Sequence, residues 1–91
     1  MVTPLTKSGD VDIEGLEQVT RFLIDRGVHG LFPLGTIGEG PKFFREERRM
    51  IIRIVVEAAR NRVPVILETG SITTRDTITY TKDAALEQLL Q

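Results

Sequence analysis

Three short apolar runs punctuate the chain, at residues 2–5, 30–35 and 63–67, and each leads into a longer stretch with helical periodicity. In the first such stretch Leu16, Val19, Thr20 and Leu23 recur at three- and four-residue spacing and predict one buried helix face. Asp12 reads as its N-cap, with Glu14 in the first turn, and Gly27 reads as its terminator. The second stretch predicts a helix over 45–60 with Ile51, Ile54, Val55 and Ala58 on one face. The third opens on Thr73-x-x-Asp76, the pattern of a capping box, and places Ile78, Ala85 and Leu89 on one side with Leu86 and Leu90 near it.

The apolar runs are too short for helices and read as strands covered on both faces. Pro33 fits such a strand poorly, because proline removes a ladder donor, whereas Pro64 stands near a strand start. A turn is expected at residues 7–10. Strand and helix alternating through short connections predict an α/β fold of about three βα units with parallel strands and right-handed crossovers. No polar linker divides residues 1–91, so a single domain is expected.

Composition narrows the function classes. The formal net charge is −1, without the basic excess of a nucleic-acid binder. With no cysteine and one histidine, the sequence offers neither disulfides nor a thiolate or His-rich metal site. No apolar run reaches the roughly 20 residues of a membrane helix, and the first residues lack a signal-peptide layout. A soluble cytoplasmic protein without metal or cofactor is expected.

The segment with most chemical potential is Gly35-Thr36-Ile37-Gly38-Glu39-Gly40. It follows an apolar run and precedes a helix, where ligands of parallel α/β folds bind. Its glycines allow close backbone approach, so a carboxylate or phosphate can accept N–H bonds there. The same glycines also suit a plain connecting turn, and Glu39 opposes a phosphate. The spacing is neither a dinucleotide fingerprint nor a Walker loop. The lysines Lys7, Lys42 and Lys82 fall on no predicted strand and read as surface charges. His29 and Tyr80 read as structural or surface residues. Arg45, Arg48, Arg49 and Arg53 are interspersed with glutamates and read as an ion-paired solvated face rather than an anion patch, or as a subunit contact.

Seven motifs occur in order: Val2-Thr3-Pro4-Leu5, Gly9-Asp10-Val11-Asp12, Gly27-Val28-His29-Gly30-Leu31, Gly35-Thr36-Ile37-Gly38-Glu39, Glu46-Glu47-Arg48, Arg62-Val63-Pro64-Val65-Ile66 and Thr74-Arg75-Asp76-Thr77. Over residues 1–84 they resemble the first third of the dihydrodipicolinate synthase / N-acetylneuraminate lyase family of class I aldolases. The resemblance implies a (β/α)8 TIM barrel, usually a homotetramer, acting on pyruvate or a pyruvate-yielding substrate. It also implies a strand lysine that forms a Schiff base and a tyrosine that relays protons. Thr36 matches the hydroxyl that joins the relay in the loop holding the pyruvate carboxylate. Ile37 matches the second loop position, where its backbone N–H can still bind a carboxylate although the family's hydroxyl is gone.

Two further departures shape the expectations. Phe44 stands where the family carries a serine or threonine cap, at a cost of ~1 kcal/mol. The lysine and tyrosines that the resemblance requires come from later strands, and residues 84–91 run on in helix formers where an exit to a fourth strand is expected. The expectation is a truncated partial barrel that forms no Schiff base alone and self-associates through open strand edges. Its alternative is a carboxylate-binding or purely structural, oligomerising fragment that needs a partner chain.

Overall fold

The computed structural model describes residues 1–35, 43–71 and 73–89. Three helices occur among them: α1 (Ile13–Asp25), α2 (Arg45–Ala59) and α3 (Thr74–Leu89). α1 and α3 both pack on α2.

The ends of α1 follow from its sequence. The Asp12 carboxylate accepts the Gly15 N–H at 3.0 Å, as an N-cap does. At the other end Gly27 takes φ 87°, a left-handed conformation that side chains resist. The Gly27 N–H then bonds the Ile24 carbonyl and the Val28 N–H bonds the Leu23 carbonyl, at 3.0 and 3.3 Å. These are the two bonds of a Schellman motif.

α2 starts less well. Phe44 is its N-cap and offers no side-chain acceptor, but the Phe44 N–H donates to Glu47 Oε1 at 2.9 Å. Half of a capping box therefore survives the loss of the hydroxyl. At the far end Arg62 donates to the carbonyls of Ala58 and Ala59 at 2.9 and 3.3 Å, satisfying acceptors left open by the helix terminus. α3 opens as its sequence predicts, with the Asp76 N–H on Thr73 Oγ1 at 3.1 Å.

The core joins Leu16 of α1 to Ile51, Ile52, Val55 and Ala59 of α2, with Leu31, Leu34 and Phe43 from the connecting segments. Ile51, Val55 and Ala58 are buried as their spacing predicts, whereas Ile54 is half-buried. α3 corrects the periodicity reading. Ile78, Ala85 and Leu86 face outward, and Asp83, Ala84 and Glu87 are buried. Charge pairing sets this orientation, as described below.

The predicted parallel strands are the second correction: the described residues hold no strand, only isolated bridges. Leu31 and Val65 form one parallel bridge, with the Leu31 N–H on the Pro64 carbonyl at 2.9 Å and the Ile66 N–H on the Leu31 carbonyl at 2.8 Å. The next parallel rung calls for an N–H from residue 33, and the preceding rung for one from residue 64. Both are prolines, so the ladder loses a donor on each side. Leu34, at φ 66°, then leaves the extended region altogether. The first apolar run makes an antiparallel bridge, Leu5 to Val11, around the turn expected at residues 7–10. It also runs beside the second, with the Met1 amino group donating to the Phe32 carbonyl at 3.0 Å.

Candidate functional site

Both predicted site residues, Thr36 and Ile37, lie outside the described residues, as do Gly38, Glu39, Gly40 and Lys42. The structure does place the two ends of their loop. On the near side Pro33 and Leu34 are fully buried. Leu34 is held at φ 66°, a conformation that costs a non-glycine residue on the order of 1–3 kcal/mol. Gly35 is buried behind it, and a Cβ there would stand 3.3 Å from Phe32 Cε1, so a side chain would crowd the ring. On the far side Phe43 is buried in the core immediately before α2. The described residues on either side of this segment are thus anchored in the core.

The third apolar run, bridged to the second at Leu31 and Val65, leads into residues 68–71. Here Glu68 Oε1 accepts the Gly70 N–H at 2.7 Å. Thr81 bonds Thr69 through their hydroxyls at 3.1 Å. Arg48, in the first turns of α2, donates from Nη2 to the Glu68 carbonyl at 2.7 Å, and its guanidinium lies 4.2 Å from the centre of the Tyr80 ring. Arg48 is only 3% exposed. Burial lowers its pKa, and Tyr80 and Glu68 act in the opposite direction. The guanidinium stays charged throughout the ordinary pH range.

Sequence reasoning placed Arg48 in a surface arginine group and missed this role. The available signal was its register: Arg48 precedes Ile51, Ile52 and Val55 at three-, four- and seven-residue spacing, on the buried face. Tyr80 is half-buried against Arg48, in line with a packing role. His29, Lys7 and Lys82 are exposed.

The other arginines of α2 are paired, but with α3 rather than with the glutamates of their own helix. Arg45 grips Asp83 through two bonds, Nε to Oδ2 at 2.7 Å and Nη2 to Oδ1 at 2.9 Å. Arg49 and Arg53 converge on Glu87 at 3.0–3.1 Å, and the Glu87 side chain is fully buried. The Arg45 hydrogen bond holds the Asp83 carboxyl below its ordinary pKa. The Arg53 bond, with that of Arg49, does the same for Glu87 against the upward push of burial. Each of these three arginines is thus engaged by a carboxylate of α3, with Arg49 and Arg53 sharing one.

A hollow of about 410 Å³ lies at the start of the third run, lined by Val56, Asn61, Arg62, Pro64 and Gln88 among others. Among the described residues no group of acidic, histidine or cysteine side chains is arranged to hold a metal ion. No helix among them is long and apolar enough to cross a membrane.

Comparison with known proteins places these features in a family. The family model of the dihydrodipicolinate synthetase family matches residues 1–87, a span that includes the loop and its anchors. The 4-hydroxy-tetrahydrodipicolinate synthase of Sorangium cellulosum is 47% identical over 85 residues, covering 92% of this chain and 28% of that protein. Two solved structures superpose closely. A dihydrodipicolinate synthase from Acinetobacter baumannii, complexed with pyruvate, has TM-score 0.92 and 34% identity, over 96% of this chain and 30% of its own. The N-acetylneuraminate lyase of Mycoplasma synoviae has TM-score 0.89 and 31% identity, over 97% of this chain and 30% of its own. These neighbours belong to a TIM-barrel family, and this chain spans under a third of their length. With the family model matching nearly from end to end, the chain belongs to the dihydrodipicolinate synthetase family.

Proposed function

We propose that residues 35–39 form the carboxylate-holding wall of a pyruvate-dependent lyase site built on a (β/α)8 barrel, and that residues 1–91 form one domain-like part of that barrel. The family match across residues 1–87 carries this reading. The Leu31–Val65 parallel register and the loop anchored at Leu34 and Phe43 support it. In this reading the backbone N–H groups at Thr36 and Ile37 donate to the carboxylate of a keto acid such as pyruvate. In the same reading the Thr36 hydroxyl takes the proton-relay role, by resemblance to the family. A pyruvate complex of the Acinetobacter relative supports the choice of ligand.

Imine formation needs a lysine amine whose pKa is lowered by desolvation. Lys7 and Lys82 are exposed and so keep the solvated environment that disfavours this chemistry. In this reading, by resemblance to the family, the imine-forming lysine belongs to a later strand of the barrel, and these 91 residues hold substrate without converting it. Mass spectrometry after treatment with pyruvate and borohydride tests this directly. No adduct is expected on Lys7, Lys42 or Lys82, and a stable adduct on any of them overturns the proposal.

A second observation favours self-association of the 91-residue chain. Val2, Phe32 and Ile66, one from each apolar run, are 53%, 46% and 61% exposed. Exposed apolar side chains of this kind favour burial against another chain. Light scattering at micromolar concentration is expected to give a mass above the 10.2 kDa of one chain, and a monomer contradicts it.

A further inference from the structure

We propose that two copies of this chain pair edge to edge through Val65, on the outer side of the third apolar run. The parallel bridge to Leu31 uses the groups that flank Val65, the Pro64 carbonyl at 2.9 Å and the Ile66 N–H at 2.8 Å. The N–H and C=O of Val65 itself therefore face the opposite edge. Among the described residues the Val65 carbonyl meets only the Gln88 side-chain amide of α3, at 3.5 Å. A well-formed bond of this type is about 2.9–3.0 Å. The Val65 N–H has no partner among the described residues, although Val65 is half-buried. The hollow of about 410 Å³ has Pro64, Val65 and Gln88 in its wall, which leaves room beside these groups. Natural sheet edges are blunted by charge or proline. This one is not: residues 63–67 carry no charge, and Pro64 removes a donor from the bridged side instead. The occupant follows from donor and acceptor lying on one residue. Across a two-fold axis, antiparallel edges set Val65 opposite its counterpart in the second copy, and such a pair exchanges both hydrogen bonds. The same patch then serves both copies, as an isologous interface requires, and brings no like charges together. The next residue, Ile66, is 61% exposed, and a strand laid along this edge covers part of it. Gln88 swings off the carbonyl as the pair closes, giving up one long contact.

The pairing rests on the self-association proposed above and names its surface. Two measurements on the 91-residue chain separate the two ideas. In the first, amide exchange at Val65 is followed at low and at high chain concentration. Val65 is expected to exchange about tenfold more slowly in the concentrated sample, while the α1 amides do not change. In the second, light scattering is compared among wild type, Val65→Pro, Ile66→Ser and Gln88→Ala. Val65→Pro removes the edge donor and is expected to give a monomer that keeps the exchange protection of α1 and α2. Gln88→Ala frees the edge carbonyl and is expected to strengthen association severalfold. Ile66→Ser is expected to weaken association less than Val65→Pro does. A monomeric wild type overturns self-association and the edge pairing with it. An associated wild type whose Val65 amide exchanges equally fast at every concentration overturns the edge pairing alone. So does association that is lost in Ile66→Ser and retained in Val65→Pro. Should Val65→Pro fail to fold, the concentration dependence at Val65 in wild type decides.

Discussion

α2 meets α1 through aliphatic side chains and meets α3 through arginines. On the α1 side Leu16 lies in one cluster with Ile51 and Val55, all three fully buried. On the α3 side Arg45, Arg49 and Arg53, spaced one turn apart, meet Asp83 and Glu87. Apolar contact is tolerant of rotation and register, because it has no directional bond to lose. The charged seam is not. A guanidinium fork accepts a carboxylate in few geometries, so the pairs fix both the rotation and the register of α3. The difference teaches that α3 is oriented by charge, at the expense of leaving Ile78 and Leu86 in solvent at 51% and 46% exposure.

The largest effect should come from breaking the apolar seam. Ile51→Ala removes a fully buried side chain from the core and is expected to cost about 2–5 kcal/mol, read from urea unfolding. Glu87→Gln comes next. It leaves Arg49 and Arg53 facing a neutral acceptor, and α3 should lose exchange protection while α1 keeps it. Simultaneous loss in both helices would show that the two seams are not separable.

Acid should act on the same seam. The Asp83 and Glu87 carboxyls are held below their unfolded pKa values by arginine. A depressed carboxyl contributes stability that is present above its unfolded value and lost as pH falls through its folded one. Protection of α3 should therefore hold at neutral pH and fall away below about pH 4, where unperturbed carboxyls titrate. α1 should persist further into acid. Equal acid sensitivity of the two helices would contradict the comparison.

The smallest effect concerns the helix starts. Asp12→Ala should destabilise by about 1 kcal/mol, and Phe44→Ser should stabilise by up to about 1 kcal/mol by restoring a cap. Thermal unfolding resolves both.

The same contrast explains what the sequence could and could not reveal. α1 was legible because Asp12, the Leu16 stripe and Gly27 are local signals, each carried by residues within one helix. α2 was legible in extent, but Arg48 was hidden because a charged residue on a buried face breaks the apolar pattern that marks such a face. The inward side of α3 was misread for the same reason: partners 34 to 38 residues away decide it, and periodicity contains no information about them. The strands were overcalled because apolar content says nothing of donors, and Pro33 and Pro64 remove the N–H groups that the ladder needs. At the candidate site the family pattern names Thr36 and Ile37, which lie outside the described residues, whereas the Arg48–Glu68 contact emerged only from packing.

The most direct test of the central claim is a pyruvate titration of the 91-residue chain followed through backbone amide shifts, with Thr36→Pro as the control that removes one N–H donor. Saturable shifts centred on residues 35–39 in wild type, lost in the variant, are the predicted result. Shifts elsewhere, or none at millimolar pyruvate, would contradict the assignment of this loop as the carboxylate-holding wall.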